Sequence, residues 1–588
     1  MKINVQIKLI TTFIFFGILF AESAFAANPV VFFSDMTDAP TTGWENSSVK
    51  GAAVSIWGRN FGFLRGQNFV TVGGISLVDD SDYAEWGVSD NPKTARGLQR
   101  ITFYLNSNMN TAGAAPNTTI KLNIDGEESE AIPFHCRSLD SNHIYFISTS
   151  GSDTSNGLMS NDQGGDNRPW ATPGKARLIL QAGDIAYFRT GTWGTVDPGS
   201  SAIVKFSNNH NNGESFKSIT WSAYPTEVPI FQGNYDDISM AIHIQGTGEQ
   251  LHYYTFSKLT LIGGGGGSGN AFAWGANYFT QKVTYLRVIG NDMTTRTEGK
   301  TIFAANGHDN SHHYYIYGNY LHDAGVENRG DPVPTQKGYG MYLGGYGDYS
   351  NINVGWNESC YNSNGKGIQV YGHYNGDSID NLYIHDNWFH HNSDRGMALG
   401  GGDNGGGGEE YYYIKNLYAY NNIIEENGSS AIQLGGSATH SMGDGGNYFF
   451  YNNTTYNNGH LFDISPYTES LVAKNNIFYE PNFFGRNAAI GVSSGEKNIW
   501  YGDVEYPSWD INYITTNPLF TNVEAGDFTS QSNSSAINTG VTIREVAKDF
   551  LGLSRPQGSG YDIGAFEYDE NTPADTVAPN TPSGLSVR

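Results

Sequence analysis

Charge is what this sequence has least of. Only 15% of its 588 residues are Asp, Glu, Lys or Arg, and the basic share is the smaller, 33 residues against 58 acidic ones, for a net charge of −25. A surface of that sign repels phosphate backbones and excludes a nucleic-acid partner. So little charge also excludes a coiled coil and charge-driven disorder. Cysteine is nearly missing: Cys136 and Cys360 stand far apart, and two thiols make no disulfide framework. Long apolar runs are missing as well, apart from Leu9 to Ala21. That run follows Lys2 and Lys8 and ends at Ala24-Phe25-Ala26, so residues 1–26 read as an export signal, too short for a membrane span of about 20 residues. The expectation is a bacterial protein, secreted or held at the cell surface or in the periplasm, that acts as a monomer, with no membrane span once the signal is removed.

What is present in excess is glycine, 74 residues, and aromatic rings, 14% of the chain. Many short strands joined by tight turns use the first, and a binding face uses the second. Residues 27–138 alternate apolar and polar side chains in Ala53–Trp57, Phe69–Val72, Ile101–Leu105 and Ile120–Ile124, with turn chemistry at 58–62, at Gly73-Gly74 and at Asp125-Gly126. That is the pattern of a β-sandwich. The run GAAVSIWGRNFG followed by NFVTVGGISL resembles the immunoglobulin-like IPT/TIG domain, which implies a spacer or binding module without catalytic residues of its own.

A repeat governs the middle of the chain. The pattern apolar-x-x-Asn-x-apolar recurs at Asn291, Asn319, Asn357, Asn387, Asn422, Asn453 and Asn476, at intervals of 28, 38, 30, 35, 31 and 23 residues. Those are coil lengths of a β-solenoid with loops of unequal size. An Asn at one fixed turn donates and accepts along a ladder of stacked amides. Second strands follow at 338–345, 366–373, 395–402 and 430–437, with Met341/Leu343, Ile368/Val370, Met397/Leu399 and Ile432/Leu434 expected inward. Upstream, HIYFISTSGSDTSNG, RPWATPGKARLIL and AGDIAYFRTGTW resemble the opening of bacterial parallel β-helix proteins that degrade polysaccharides, and the short helix at about 173–181 is implied as a cap. The segment from Asn517, with Asp549, Gly552, Arg555, Pro556 and Asp562–Glu567, resembles the ending shared by many such secreted proteins. The fold class is therefore all-β, a right-handed parallel β-helix over residues 143–570 after an independent immunoglobulin-like sandwich. Residues 571–588 read as a Pro-rich linker and the start of a fibronectin type III module.

Stacked coils put outward residues into columns about 4.8 Å apart. Three positions after the repeated Asn come His322, Cys360, His390 and Glu425; one further come Asp323, Tyr361, His391 and Glu426. Just before the second strand come Tyr339, Lys366, Arg395 and Ser430, and within it Tyr342, Gln369, Ala398 and Gln433. The resemblance implies a polysaccharide-active protein, and β-helix lyases of uronic-acid polymers use a Lys or Arg base with Ca²⁺ or a basic side chain as neutraliser. Lys366 with Arg395 is the best such pair, since a neighbouring cation lowers a lysine pKa towards a useful range. Tyr339, His322 and His390 complete the catalytic candidates. Tyr342, Gln369, His373, Tyr346 and Gln433, with Tyr349 and Tyr374, are candidates for holding sugar; Asp377, Asp380 and Asp403 are candidates for calcium.

The resemblance stops short of a reaction. No Asn-Thr-Asp of the polygalacturonase-type hydrolases is present, nor the Asp-Pro-His-Glu of alginate epimerases, nor the R-x-P-x-x-R of the main pectate lyases, nor the N-N-G-G-E of the alginate/chondroitin lyases. Three readings stay open: a lyase acting by β-elimination; a glycoside hydrolase using two carboxylates among Asp323, Asp394, Asp403, Glu425 and Glu426; and a non-catalytic protein that binds or adheres to polysaccharide.

Overall fold

The computed structural model describes residues 28–91, 97–109, 118–138, 143–198, 200–207, 210–234, 240–245, 250–264, 269–274, 282–295, 301–308, 310–324, 338–363, 365–372, 377–400, 413–435, 446–464, 470–479, 493–502 and 506–569. Residues 1–26, expected as an export signal, lie outside them, as do His373, Tyr374, Asp403 and residues 571–588.

Residues 30–137 form two sheets face to face. One runs in the order Val30–Ser34, Lys50–Arg59, Gln99–Asn106, Tyr83–Ser89; the other in the order Asp38–Pro40, Ile132–Arg137, Thr118–Ile124, Phe69–Val72, Ile75–Leu77. Val54, Ile56, Phe61, Val70, Ile101, Phe103, Ile120 and Leu122 fill the space between them, all fully buried. Between Val72 and Ile75 the chain reverses over Gly73 and Gly74, with φ of +57° and +84°. Two successive positive φ values make the turn whose twist suits a two-residue hairpin, and glycine supplies them without strain.

From Ile144 onwards the chain is a parallel β-helix. Among the described residues its three faces carry 14, 11 and 9 strands, here sheets 1, 2 and 3. Each middle coil runs through a long strand of sheet 1, a three-residue strand of sheet 2 and a short strand of sheet 3. Neighbouring coils pair in parallel, as in Ser378–His385 on Asp348–Gly355, Trp388–His390 on Glu358–Cys360, and Met397–Leu399 on Ile368–Gly372. Met341, Leu343, Ile368, Val370, Met397, Leu399, Ile432 and Leu434 all point into one continuous core. The helix Pro173–Ile179 closes the first coil. Thr172 caps it by accepting from the Lys175 amide at 3.2 Å, and Ala176 and Leu180 pack into the core.

The repeated Asn turns the corner from sheet 1 to sheet 2. Each Nδ2 donates to the next Asn Oδ1: Asn291 to Asn319 (2.9 Å), Asn319 to Asn357 (2.9 Å), Asn357 to Asn387 (3.0 Å) and Asn387 to Asn422 (3.0 Å). The chain continues to Asn453, Asn476 and Asn498, and ends on Asp510 Oδ2 at 2.9 Å. The residue before each of these Asn is left-handed: Gly290, Gly318, Trp356, Asp386, Asn421, Asn452, Asn475 and Lys497, with φ of +52° to +64°. Asp323, Tyr361, His391, Glu426 and Asn457 repeat the device at the far end of sheet 2. There Asn362, Asn392, Asn427 and Asn458 form a second ladder, at 2.7, 2.9 and 2.8 Å. The sequence pattern did not single out this second row.

Two expectations need correction. The sandwich is not independent. Tyr187 of sheet 1 bonds to both the amide and the carbonyl of Ala53 (2.9 and 2.8 Å), and Lys258 reaches Asp35 at 2.7 Å. Asp38 bonds Arg137 and Ser218, while Phe33 and Trp57 pack with Ile289, Tyr317 and Trp356. The outer face of sheet 1 carries rings that need cover, and the sandwich provides it. Nor do the coils run to residue 570. They end at Asp510–Ile511, and the tail folds back, laying Phe520, Phe528, Phe550, Ile563 and Ala565 on Trp388, Ile423, Ile477 and Ile499 of sheet 2. Its Arg555 forms a fully buried pair with Glu567 at 2.6 Å.

Candidate active site

The outward columns expected from the repeat are in register, but they face two ways. Sheet 2 carries one group. Its third position aligns His322 with Cys360, Cys360 with His390, and His390 with Glu425; its first aligns Tyr320 with Glu358 and Trp388. His322 Nε2 meets Asp292 at 2.8 Å and its Nδ1 meets Asp323 at 2.7 Å. Burial opposes the imidazolium, yet the two carboxylates outweigh it and push the His322 pKa up to about 9. Across the row, His390 Nε2 lies 3.1 Å from Glu358 Oε1, and Trp388 Nε1 donates to Glu425 at 2.7 Å. Burial pushes the Glu425 carboxyl up to about 7, against the pull of His390 and the Trp388 bond.

The turn after sheet 2 leads to the second group. Gly340 N bonds Lys366 O at 2.9 Å and Gly367 N bonds Arg395 O at 2.9 Å, which places Tyr339, Lys366 and Arg395 in one column on successive coils. Tyr342, Gln369, Ala398 and Gln433 follow as the outward column of sheet 3 itself. Lys366 Nζ donates to Gln369 Oε1 at 2.8 Å and sits 5.2 Å from the centre of the Tyr339 ring. Arg395 Nη1 is held by both oxygens of Asp394, at 2.7 and 2.8 Å. Tyr342 packs beside Tyr339 and Tyr371, each 6.2 Å away between ring centres. Burial pushes the Tyr339 hydroxyl up to about 12, helped by Asp394 and Tyr371 and opposed by Arg395, so it stays protonated at neutral pH.

The structure thus brings Lys366, Arg395, Tyr339, Tyr342, Gln369 and Gln433 onto one side, and sets His322 and His390 on the neighbouring face. Lys366 is buried at 6% exposure rather than projecting freely. Tyr349 is a core residue at 2% exposure and cannot stack on sugar. Tyr346 belongs to the strand Met341–Tyr346 of sheet 3, with its side chain outside the described residues, as are His373 and Asp403. Asp380 lies on the sheet 1 strand Ser378–His385, where its Oδ1 accepts from Asn416 at 2.8 Å, and Asp377 stands just before that strand. Among the described residues, no oxygen cage for calcium stands beside Lys366. Tyr371 went unassigned in the sequence, and Asp394 was named there only as a candidate hydrolase carboxylate, not as the partner of Arg395. An aromatic residue two places after the outward Gln369 of a β-strand, and an acid preceding the column arginine, were the signals available.

Ladders of Asn between three parallel sheets define the class: a parallel β-helix protein, all-β, with a sandwich fused to its first face. No family model matches the sequence, and no curated protein matches it. Among solved structures it is similar to a pectate lyase, Pel9A, at 14% identity and a TM-score of 0.45, over 72% of this chain and 96% of that one. It is similar to XylC in complex with xylose at 10% identity and a TM-score of 0.38, over 72% and 98%. A rhamnogalacturonan lyase follows at 14% identity and a TM-score of 0.28, over 64% and 85%.

Proposed function

We propose that this protein is a secreted carbohydrate-active enzyme that cleaves a uronic-acid-containing polysaccharide by β-elimination on the column Tyr339, Lys366, Arg395. One observation carries the reading: two basic side chains on successive coils, backed by a protonated phenol and set beside half-buried rings and an amide. Lys366, as the neutral amine, is the base that takes the proton from C5 and becomes the ammonium. The electron pair forms the C4=C5 double bond as the C4–O bond breaks, and the Tyr339 hydroxyl protonates the departing oxygen. Arg395 holds the uronate carboxylate and offsets the charge that builds on it, while Asp394 fixes the guanidinium. Tyr342, Gln369 and Gln433 line the path of the polymer.

The hydrolase reading has less support. Asp323, Asp394, Glu425 and Glu426 are each engaged by a neighbouring His, Arg or Trp, and Asp403 lies outside the described residues. The test is incubation with pectate, alginate, ulvan and glycosaminoglycans, with and without calcium, following the ultraviolet absorbance of the unsaturated product. Reducing ends without that absorbance select the hydrolase; glycan binding without any product selects a binding protein.

A further inference from the structure

We infer that Glu358, Cys360 and His390 form a binding site for a thiolate-accepting divalent cation, zinc first, on the outer face of sheet 2. Glu358 and Cys360 are the first and third residues of a three-residue strand, so their side chains leave the same face. His390 is the register partner of Cys360 on the next coil. The three donor atoms lie within 4.8 Å of one another, and the residues are 2%, 0% and 6% exposed. A zinc ion bonded at about 2.3 Å to sulfur and about 2.0–2.1 Å to nitrogen or oxygen needs only small side-chain rotations to gather such a set.

Hydrogen bonding around His390 calls for a positive centre beside it, a proton or a metal ion. His391 Nε2 is 2.7 Å from Glu426, a carboxylate that can only accept. With both imidazoles neutral, that bond leaves His391 Nδ1 as an acceptor, and it lies 3.0 Å from His390 Nδ1. His390 must then donate from Nδ1, which leaves the lone pair on Nε2. That lone pair faces Glu358 Oε1 at 3.1 Å, acceptor against acceptor. A buried arrangement of this kind is stable only with a positive centre between the two atoms. A proton would satisfy the pair; the Cys360 sulfur beside it adds a soft third donor that a proton does not use. An imidazole whose far nitrogen is fixed by a second partner is also the usual setting of a metal ligand. Calcium, which takes six to eight oxygens, does not suit the set; zinc and its first-row neighbours do. Three protein ligands leave a fourth position for water or another oxygen donor.

Cobalt(II) is the probe, because thiolate bound to it absorbs in the near ultraviolet. The whole chain is stripped with chelator, dialysed and titrated with cobalt. The expected result is one equivalent bound with that band, displaced by zinc, kept in Cys136→Ser and lost in Cys360→Ser. Should Cys360→Ser fail to fold, Glu358→Gln and His390→Gln must each weaken cobalt binding at least tenfold in folded protein. A folded wild type that shows no thiolate band, a band that survives Cys360→Ser, or unchanged affinity in both other variants overturns the site and leaves a proton between His390 and Glu358. The lyase assay stands apart from these outcomes, since its column lies in the turn before sheet 3.

Discussion

The corner between sheets 1 and 2 and the column before sheet 3 are built from the same repeat, yet they spend their polar groups differently. At the corner, one residue type recurs in every coil, and each amide is satisfied by the coils on either side. Along the column, residue type changes from Tyr339 to Lys366 to Arg395 to Ser430, and the basic side chains bond polar neighbours within their own coil, Lys366 to Gln369 and Arg395 to Asp394. A ladder gains from sameness, because each rung supplies what the next one needs. A site gains from difference, because base, acid and charge-holder are distinct roles. The comparison teaches where to look in a solenoid: at columns whose identity breaks while the backbone register holds.

The largest effect should come from breaking the ladder. Asn387 Oδ1 accepts from the backbone amide and side chain of Asn357, while its Nδ2 bonds Val354 O, His385 O and Asn422 Oδ1. Asn387→Ala leaves several buried groups unmatched at about 1–3 kcal/mol each. Urea denaturation should show a loss of about 3–5 kcal/mol. A loss under about 1 kcal/mol would mean that backbone pairing alone holds the coils.

Breaking the column should instead remove turnover. Lys366→Met should lower kcat by about 10²–10⁴-fold, the usual worth of a general base. Its buried stem makes the stability outcome informative: Lys366→Ala should also lower the melting temperature by a few degrees, whereas Met restores packing without activity. Activity retained in the Met variant would move the base elsewhere. Arg395→Gln comes next. Its expected signature is a fall of about 10–100-fold in kcat/KM, partly recovered in Arg395→Lys, because charge is kept while the two-pronged hold on a carboxylate is not. Equal loss in both variants would indicate a purely structural pairing with Asp394.

How much of this was legible beforehand follows the same division. The Asn ladder and the inward strand positions were readable because they repeat, and repetition is what a single sequence displays. The second ladder through Asn362 and Asn392 repeats just as strictly; its five-residue offset from the first was overlooked. Tyr339, Lys366 and Arg395 were readable as a column, since register follows from the repeat. The placing of His322 and His390 on another face was not, because the turn between sheets 2 and 3, seven residues in the Lys366 coil and six in the Arg395 coil, changes the direction of everything after it. Nor was the fusion of sandwich to solenoid, whose contacts join residues such as Asp35 and Lys258 that no local pattern links. Tyr349 was misread for a related reason: a ring in a glycine-rich stretch looks exposed until a coil is laid over it.

The smallest effect concerns the last rung, where the ladder runs out of asparagine. Asp510 Oδ2 accepts from Asn498 Nδ2 at 2.9 Å and from Trp500 Nε1 at 2.6 Å. Burial raises its carboxyl to about 6 from an ordinary 3.8, the two hydrogen bonds opposing and Glu496 assisting. An acid whose pKa is higher in the folded protein than in the unfolded chain binds more protons when folded across the interval between the two values. Stability from this group therefore falls as pH rises from about 4 to about 6, and stays low above that. The displacement is about two units, which at about 1.4 kcal/mol per unit sets an upper bound of about 3 kcal/mol on the contribution. Asp510→Asn removes the titration and supplies the amide that every other rung carries. Chemical denaturation of the variant should show a gain over wild type at pH 7 that shrinks towards pH 4. A gain that stays constant with pH would mean that Asp510 titrates alike in the folded and unfolded chain, and no gain at any pH would mean that the final rung needs no asparagine.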